Sequence, residues 1–312
     1  MGGTGANAQM RDVDGRASGE KPMRWMMGAL AAAVLAATGS AAAQPIQQRD
    51  PLNGQFGVME IAAPPQESAR QARAMGAALA ALQPQRPGQV DTYLIVAGLW
   101  SDAVFEREAK QAEAILNAHF GAAGRSIMLS AGGDGPRTYP AATPDNLSAA
   151  IGQVGSLIDP NEDLVVVFIT SHGSPDGSAA LREHNRLVGA LRPTHLRDML
   201  VGAGIRTRVV IVSACFSGAF IAPLMDDNTI VLTAAAPDRS SFGCQPQNNW
   251  TFFGDALFNQ NLRNGGSIVQ AFDRAKVLIE RWEREQNLSP PSNPQRHVGA
   301  RAAEVVRRAE RR

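Results

Sequence analysis

The chain has 312 residues, of which 44% are apolar and 19% charged, a composition typical of a globular protein with a buried core. Its formal net charge of +1 gives no reason to expect nucleic acid or an anionic membrane surface as a partner. The length fits one large α/β domain or two small ones.

The N-terminal segment predicts export. A short basic start at 23–25 (Met-Arg-Trp) precedes an apolar stretch at 26–38 and three alanines at 41–43, which suit cleavage after Ala43. The apolar stretch is shorter than the ~20 residues that span a bilayer. We therefore expect residues 1–43 to be a signal peptide, with Met23 as a second candidate start. The protein would then be periplasmic or secreted, without stable membrane insertion after cleavage. An uncleaved anchor is the alternative.

Apolar runs and segments with helical spacing alternate along the rest of the chain. Strands are predicted at 92–97, 126–129, 163–173, 208–218 and 229–234, and helices at 66–82, 104–120, 145–158, 194–203, 251–262 and 267–285. This alternation predicts βαβ units and a mainly parallel sheet.

The same pattern predicts how the chain is organised. Residues 44–89 form an N-terminal extension and helix, residues 90–300 form the main domain, and residues 301–312 form a basic tail, expected to be a solvated helix. A polar loop is expected between the 163–173 strand and the next helix. The glycine-rich stretch at 131–135 lacks the Lys and Ser/Thr of a phosphate-binding loop, so it is interpreted as a turn. No cofactor is expected, and the sequence carries no signal for an oligomeric state.

Two of the predicted strands end at reactive side chains. DLVVVFITSHG leads to His172, and RVVIVSACFSG leads to Cys215. Both runs suit strands buried on both faces of a parallel sheet, and the carboxyl ends of such strands meet at one edge. A thiol and an imidazole would converge there, as nucleophilic catalysis by cysteine requires. The backbone N–H groups of Gly173 and Cys215 are candidates to hold an oxyanion.

Cys215 and Cys244 are the two cysteines of the chain. In an exported protein such a pair is often a structural disulfide, which is one interpretation here. The alternative is that Cys215 is a free nucleophile, since a disulfide would consume the thiol.

The other histidines give weaker signals. His119 lies on a predicted core face, and none of His184, His195 and His297 has metal-ligand spacing with another. No metal site is assigned.

Around both strand ends the chain resembles the legumain-like cysteine peptidases, within the group that shares the caspase fold. The resemblance is carried by the segments Ser-His-Gly at 171–173, Ser-Ala-Cys-Phe-Ser-Gly at 213–218, TAAAPDRSSFGC at 233–244, FFGDALF at 252–258 and Val-Ala-Gly at 96–98. It covers about residues 90–262. It implies an α/β fold, a caspase-like three-layer sandwich with a mainly parallel central sheet flanked by helices. It also implies His172 as catalytic base, Cys215 as nucleophile and the Gly173 backbone as oxyanion donor. Cys244 falls on a position that can be cysteine in legumains, which favours a free thiol.

The resemblance further implies a pocket that recognises asparagine. Its candidate substrate-binding residues are Arg107, Ser213, Ser240, Ser241 and Asp255. At Ser213, two residues before the nucleophile, legumains carry an acidic residue, so the chain departs from the pattern that suits strict asparagine specificity. Asp255 could accept the amide instead, or it could be an exposed cap of the 251–262 helix.

The expected function is therefore an exported cysteine endopeptidase that acts on peptide or protein substrates, cutting after Asn or Asp. One alternative is a transamidase or ligase, in which an amine intercepts the same acyl-enzyme. Others are a catalytically silent binding protein with this fold and a caspase-like relative that cuts after Arg or Asp.

Overall fold

The computed structural model describes residues 64–133, 138–183 and 187–310. The predicted signal peptide, much of the extension, part of the glycine-rich turn and His184 lie outside these ranges. Within the ranges, the strands are β1 Thr92–Gly98, β2 Ser126–Ser130, β3 Leu164–Thr170, β4 Ala179–Glu183, β5 Leu187–Leu191, β6 Arg208–Ser213, β7 Thr229–Thr233 and β8 Gln295–Val298. The α-helices are α1 Pro65–Ala80, α2 Ala103–Phe120, α3 Pro144–Leu157, α4 Pro193–Gly202, α5 Ile221–Leu224, α6 Phe252–Gly254, α7 Ile268–Glu285 and α8 Ala300–Ala309.

In the described part of the chain, six strands form the main sheet in the order β2-β1-β3-β6-β7-β8. Neighbouring strands are parallel except β7 and β8, which are antiparallel. Strands β3 and β6, which precede the two reactive residues, are adjacent at the centre of the sheet. Strands β4 and β5 form a separate antiparallel hairpin.

Side chains on the central strands alternate between two buried layers. In β3, Val166 and Phe168 face one layer, while Val165, Val167 and Ile169 face the other. Helices α2, α7 and α8 contribute to the first layer, and helices α1, α3, α4 and α5 contribute to the second. Burial on both faces explains why these strands are uninterrupted apolar runs. The arrangement confirms the predicted α/β three-layer sandwich with a mainly parallel central sheet.

Helix boundaries follow local chemistry. The Thr143 hydroxyl accepts the Asn146 N–H at 3.2 Å and begins α3, whose first residue is Pro144. Helix α2 ends at Phe120 and is followed by Gly121, which has the left-handed backbone (φ 62°) common after helices. The predicted strands and most predicted helices agree with the structure to within a few residues at their ends.

Several predictions about the remaining segments were wrong. The expected polar loop after β3 contains the β4–β5 hairpin, and the edge strand β8 was not predicted. The expected helix at 251–262 is one turn of α-helix, a π-helical turn Asp255–Asn259 and a 3₁₀ turn Leu262–Asn264. The C-terminal helix is not merely solvated: α8 buries Ala302, Val305, Val306 and Ala309 in the first layer.

Candidate active site

The ends of β3 and β6 lie side by side. Thr170 is the register partner of Ser213, and the Ser171 N–H donates to the Ser213 carbonyl at 3.1 Å. His172 and Cys215 each follow two residues after this pair. The strand register therefore brings the imidazole and the thiol to the same edge of the sheet, although they are far apart in sequence.

Gly173 fits tightly against the backbone of the neighbouring strand end. A Cβ atom at this position would lie 1.9 Å from the Cys215 carbonyl oxygen and 3.0 Å from the Cys215 nitrogen. Such distances exclude every side chain unless the backbone moves. Gly173 also bridges to Ala179 of β4, and the Ala180 N–H donates to the His172 carbonyl at 2.8 Å. The hairpin therefore holds the segment that carries His172.

The sulfur of Cys215 is surrounded by hydrogen-bond donors. The Ser241 N–H donates to Sγ at 3.2 Å, and the Ser241 hydroxyl lies 3.6 Å from it. The hydrogen bond from the Cys244 thiol is the largest effect on the pKa of Cys215. Together with the hydrogen bonds from Ser241 and Ser240, it outweighs burial and lowers this pKa to about 5. In turn, contact with the Cys215 sulfur and burial raise the pKa of Cys244. Both cysteines are free thiols, and the pair favours a thiolate on Cys215.

The backbone turns sharply after Cys215. Phe216 has a left-handed conformation (φ 58°), and its N–H donates to the Arg239 carbonyl at 2.7 Å. A non-glycine residue in this region is uncommon, and such backbone strain concentrates at functional sites. The turn leads into a 3₁₀ segment, Ser217–Phe220, and leaves Cys215 at the end of its strand.

His172 is held by two aromatic rings and a carboxylate. Trp100 and Phe105 meet the imidazole edge-on, with ring centroids 5.3 and 4.9 Å away. The Asp102 Oδ2 atom lies 3.3 Å from His172 Nε2, and the two side chains are 35% and 37% exposed. These contacts hold the ring at the sheet edge that also carries Cys215 and place a carboxyl group beside it.

Asp102 was missed by the sequence analysis. It occupies the N-cap position of α2, but its side chain does not hydrogen-bond to its own helix. The sequence did contain a signal for Asp102 as a partner of His172, because Asp102 lies in the connection after β1, and β1 pairs with β3. An acidic residue at the carboxyl end of a neighbouring strand is a candidate partner for a strand-end histidine.

The predicted substrate-binding residues have different surroundings. Ser240 is exposed and Ser241 contacts the Cys215 sulfur. The Ser213 hydroxyl is buried, 3.0 Å from the Thr251 hydroxyl and 3.2 Å from the Glu108 carboxylate. The structure thus places both loop serines beside the Cys215 sulfur and buries the Ser213 hydroxyl between Thr251 and Glu108.

The two charged members of the predicted pocket contact other parts of the protein. Arg107 donates to the Asn248 carbonyl at 2.7 Å and also to the Pro246 carbonyl. The half-buried Asp255 carboxylate accepts the side-chain amides of Asn259 at 2.7 Å and Gln260 at 3.1 Å.

Asp255 is not the helix cap that one interpretation expected. The cap is Thr251, whose hydroxyl accepts the Gly254 N–H at 3.0 Å. The role of Arg107 and Asp255 in substrate binding stays a prediction.

The remaining histidines and acids do not form a metal centre in the described ranges: no three His, Cys, Asp or Glu side chains cluster there. His119 is half-buried against Glu310 of the C-terminal segment, with 3.1 Å between Nε2 and Oε1. Among the helices described, none has the length and apolar character needed to cross a bilayer.

Comparison with known proteins gives one family. A sequence model of the Peptidase C13 family matches residues 135–299, which include both strand ends. No curated protein sequence matches the chain. Among solved structures, caspase-1 from Spodoptera frugiperda is similar, with 11% identity and a TM-score of 0.48 over 70% of this chain and 94% of that one.

Proposed function

Because the chain belongs to the Peptidase C13 family and is therefore a cysteine-type peptidase, we propose that Cys215 is its nucleophile and His172 its general base. The observation that carries this proposal is the register of β3 and β6, which aligns the two residues at one sheet edge. The lowered pKa of Cys215 supports it, since the thiolate is the attacking species. Asp102, whose Oδ2 atom lies 3.3 Å from His172 Nε2, orients the imidazole.

The proposed reaction follows from these positions. The Cys215 thiolate adds to the carbonyl carbon of the scissile peptide bond, and the oxyanion accepts hydrogen bonds from the Gly173 and Cys215 N–H groups. Protonated His172 gives its proton to the amine as the C–N bond breaks, which leaves a thioester on Cys215. His172 then takes a proton from water, whose oxygen attacks the thioester. The carboxylic acid product leaves, and the thiolate is restored.

We further propose that the residue before the cleaved bond is Asn or Asp. Ser240 and Ser241 stand beside the nucleophile, where the side chain of that residue would enter. Their hydroxyls can both donate and accept hydrogen bonds. The side-chain amide of Asn needs both kinds of partner, and the carboxylate of Asp needs donors, which the hydroxyls also supply. Burial of an unpaired amide would cost ~1–3 kcal/mol, so such pairing discriminates between substrates.

Covalent trapping tests this proposal. The full chain, reduced, is incubated with peptide vinyl sulfones ending in Asn, Asp or Arg, and adducts are mapped by mass spectrometry. We expect one adduct, on Cys215, with the Asn or Asp probe reacting faster than the Arg probe. Cys244→Ser is the matched control and should still be labelled, whereas His172→Ala should react far more slowly. Labelling that persists in Cys215→Ser, or that falls on Cys244, contradicts the assignment.

Export is proposed separately, from the apolar stretch at 26–38 and the alanines at 41–43. N-terminal sequencing of the protein recovered from a producing cell tests it. A mature N-terminus at Gln44 supports export, and an intact residue 26–38 segment in the cytoplasmic fraction contradicts it.

A further inference from the structure

A buried acid lies beneath the two catalytic strand ends. Glu108, on α2, is fully buried (0% exposed), and the proposed reaction does not use it. Burial is the largest effect on Glu108 and raises its pKa to about 7. The hydroxyl donors lower this pKa, and the nearby Asp255 raises it. A carboxyl group without exposure is costly unless its oxygens are hydrogen-bonded, so its partners are informative.

The partners of Glu108 belong to the three segments that carry the site. The Thr170 hydroxyl donates to Oε2 at 2.6 Å, and the hydroxyls of Thr251 and Ser213 donate to Oε1 at 2.8 and 3.2 Å. Thr170 lies two residues before His172, and Ser213 lies two residues before Cys215. Thr251 caps the helix that follows the 236–250 loop, which supplies the donors around the Cys215 sulfur.

The fit around this carboxyl group is close. A Cβ atom at Gly254 would lie 1.8 Å from Glu108 Oε1, so α6 approaches the acid in a way that only glycine allows. One side chain therefore joins α2, both catalytic strands and the start of α6. A change in its position would move the base, the nucleophile and the loop together.

We infer that Glu108 is a positioning residue for the proposed peptidase reaction: its carboxylate holds the ends of β3 and β6 and the 236–250 loop, and so sets the spacing of His172 and Cys215. The inference rests on the proposed function. Ionised Glu108 accepts all three hydroxyl bonds at once. Protonated Glu108 must donate one bond, so one of the three hydroxyls turns around.

Titration of Glu108 should therefore change kcat as the pH is varied. The ionisable groups that face it are Asp255 on the π-helical turn and Cys244 in the 236–250 loop, with the Cys215 sulfur beyond Cys244. Because the ionised form holds all three segments, kcat should rise as the pH passes about 7. A residue that contributed only to stability would not produce this step in kcat.

The test compares Glu108→Gln with the wild type over pH 5.5–8.5. We expect kcat of the variant to fall about tenfold at pH 8, with KM within about twofold, because small misplacements of reacting groups cost 10- to 100-fold. Because kcat also depends on pH through the general base His172, the prediction for Glu108→Gln is a pH profile whose step differs in size or midpoint from that of the wild type. Thr170→Val removes the bond to the His172 strand alone and should also lower kcat.

The matched control is Thr92→Val, the same change at a buried hydroxyl on β1 that lacks a hydrogen-bond partner among the described residues. It should leave kcat unchanged. Iodoacetamide labelling of Cys215 in the same proteins gives a readout that needs no substrate. The inference is overturned if Glu108→Gln and Thr170→Val change only the melting temperature, or if the pH profile of kcat in Glu108→Gln has the same shape and midpoint as in the wild type. A labelling rate that depends on Glu108 in a chain that cleaves no peptide would refute the peptidase proposal and keep the positioning role.

Discussion

Replacement of Cys244 by alanine should raise the pKa of Cys215 by a predictable amount. The Cys244 thiol is the leading cause of the lowered pKa of Cys215, ahead of the donors from Ser241 and Ser240. A hydrogen bond to a charged group contributes ~1.5–3 kcal/mol, and one pKa unit corresponds to ~1.4 kcal/mol. Cys244→Ala should therefore raise the pKa of Cys215 by about one to two units, while the Ser241 N–H remains in place.

The rate of alkylation of Cys215 by iodoacetamide measures this change. Rates are followed from pH 4 to pH 9, with the modified cysteine identified by peptide mass mapping. The wild-type midpoint is expected at about pH 5, because the thiolate reacts and the thiol does not. The Cys244→Ala midpoint should lie about one to two pH units higher. At pH 5 its rate should be lower by about fivefold or more.

Cys244→Ser is the matched control because its hydroxyl still donates a hydrogen bond. Its midpoint should stay closer to that of the wild type. Identical midpoints in all three proteins would refute a role for Cys244. A wild-type midpoint near the ordinary thiol value of 9.0 would refute the lowered pKa itself.

Three further substitutions separate the contributions of the surrounding residues. Asp102→Asn should lower kcat/KM about fivefold, since a partly exposed ion pair contributes ~1 kcal/mol at most; a steady-state assay that shows no loss would remove Asp102 from the site. Gly173→Ala should lower activity about 100-fold, because its Cβ would collide with the Cys215 carbonyl, whereas Gly152→Ala on α3 meets no atom within 4 Å and should keep full activity. Arg107→Ala should raise KM about tenfold and lower the melting temperature, because the guanidinium anchors the Pro246 and Asn248 carbonyls of the loop by charge-assisted bonds; an unchanged KM would contradict this.

The sheet and the two reactive strand ends could be predicted because their signals are local. Each central strand is a continuous β-branched run, and burial on both faces requires that pattern. The β4–β5 hairpin gave a weaker signal, since β4 alternates buried and half-buried residues and includes Arg182 and Glu183. Strand β8 is four residues long and mostly polar. It forms by antiparallel pairing with β7 at the edge of the sheet, which its own sequence does not indicate.

The packing of α8 was misjudged for a related reason. Its arginines suggested a solvated tail, but Ala302, Val305, Val306 and Ala309 follow a helical spacing that forms one apolar face. That face is buried because α8 follows β8, which places it over the first apolar layer.

Glu108 could not be found from the sequence. An acidic residue on a helix usually faces solvent, and the three hydroxyls that surround this one are 62, 105 and 143 positions away. Their convergence depends on the order of the strands and on the close approach of Gly254. Asp102, in contrast, lies in a connection that the predicted parallel sheet already places at the edge that carries His172 and Cys215.

Cleavage of a peptide library by the purified, reduced chain tests the central claim most directly. Products are identified by mass spectrometry beside those of Cys215→Ala and His172→Ala. The account predicts cuts concentrated after Asn or Asp in the wild type and none in either variant. Cuts that persist unchanged in either variant would contradict the assignment of Cys215 and His172 as nucleophile and base.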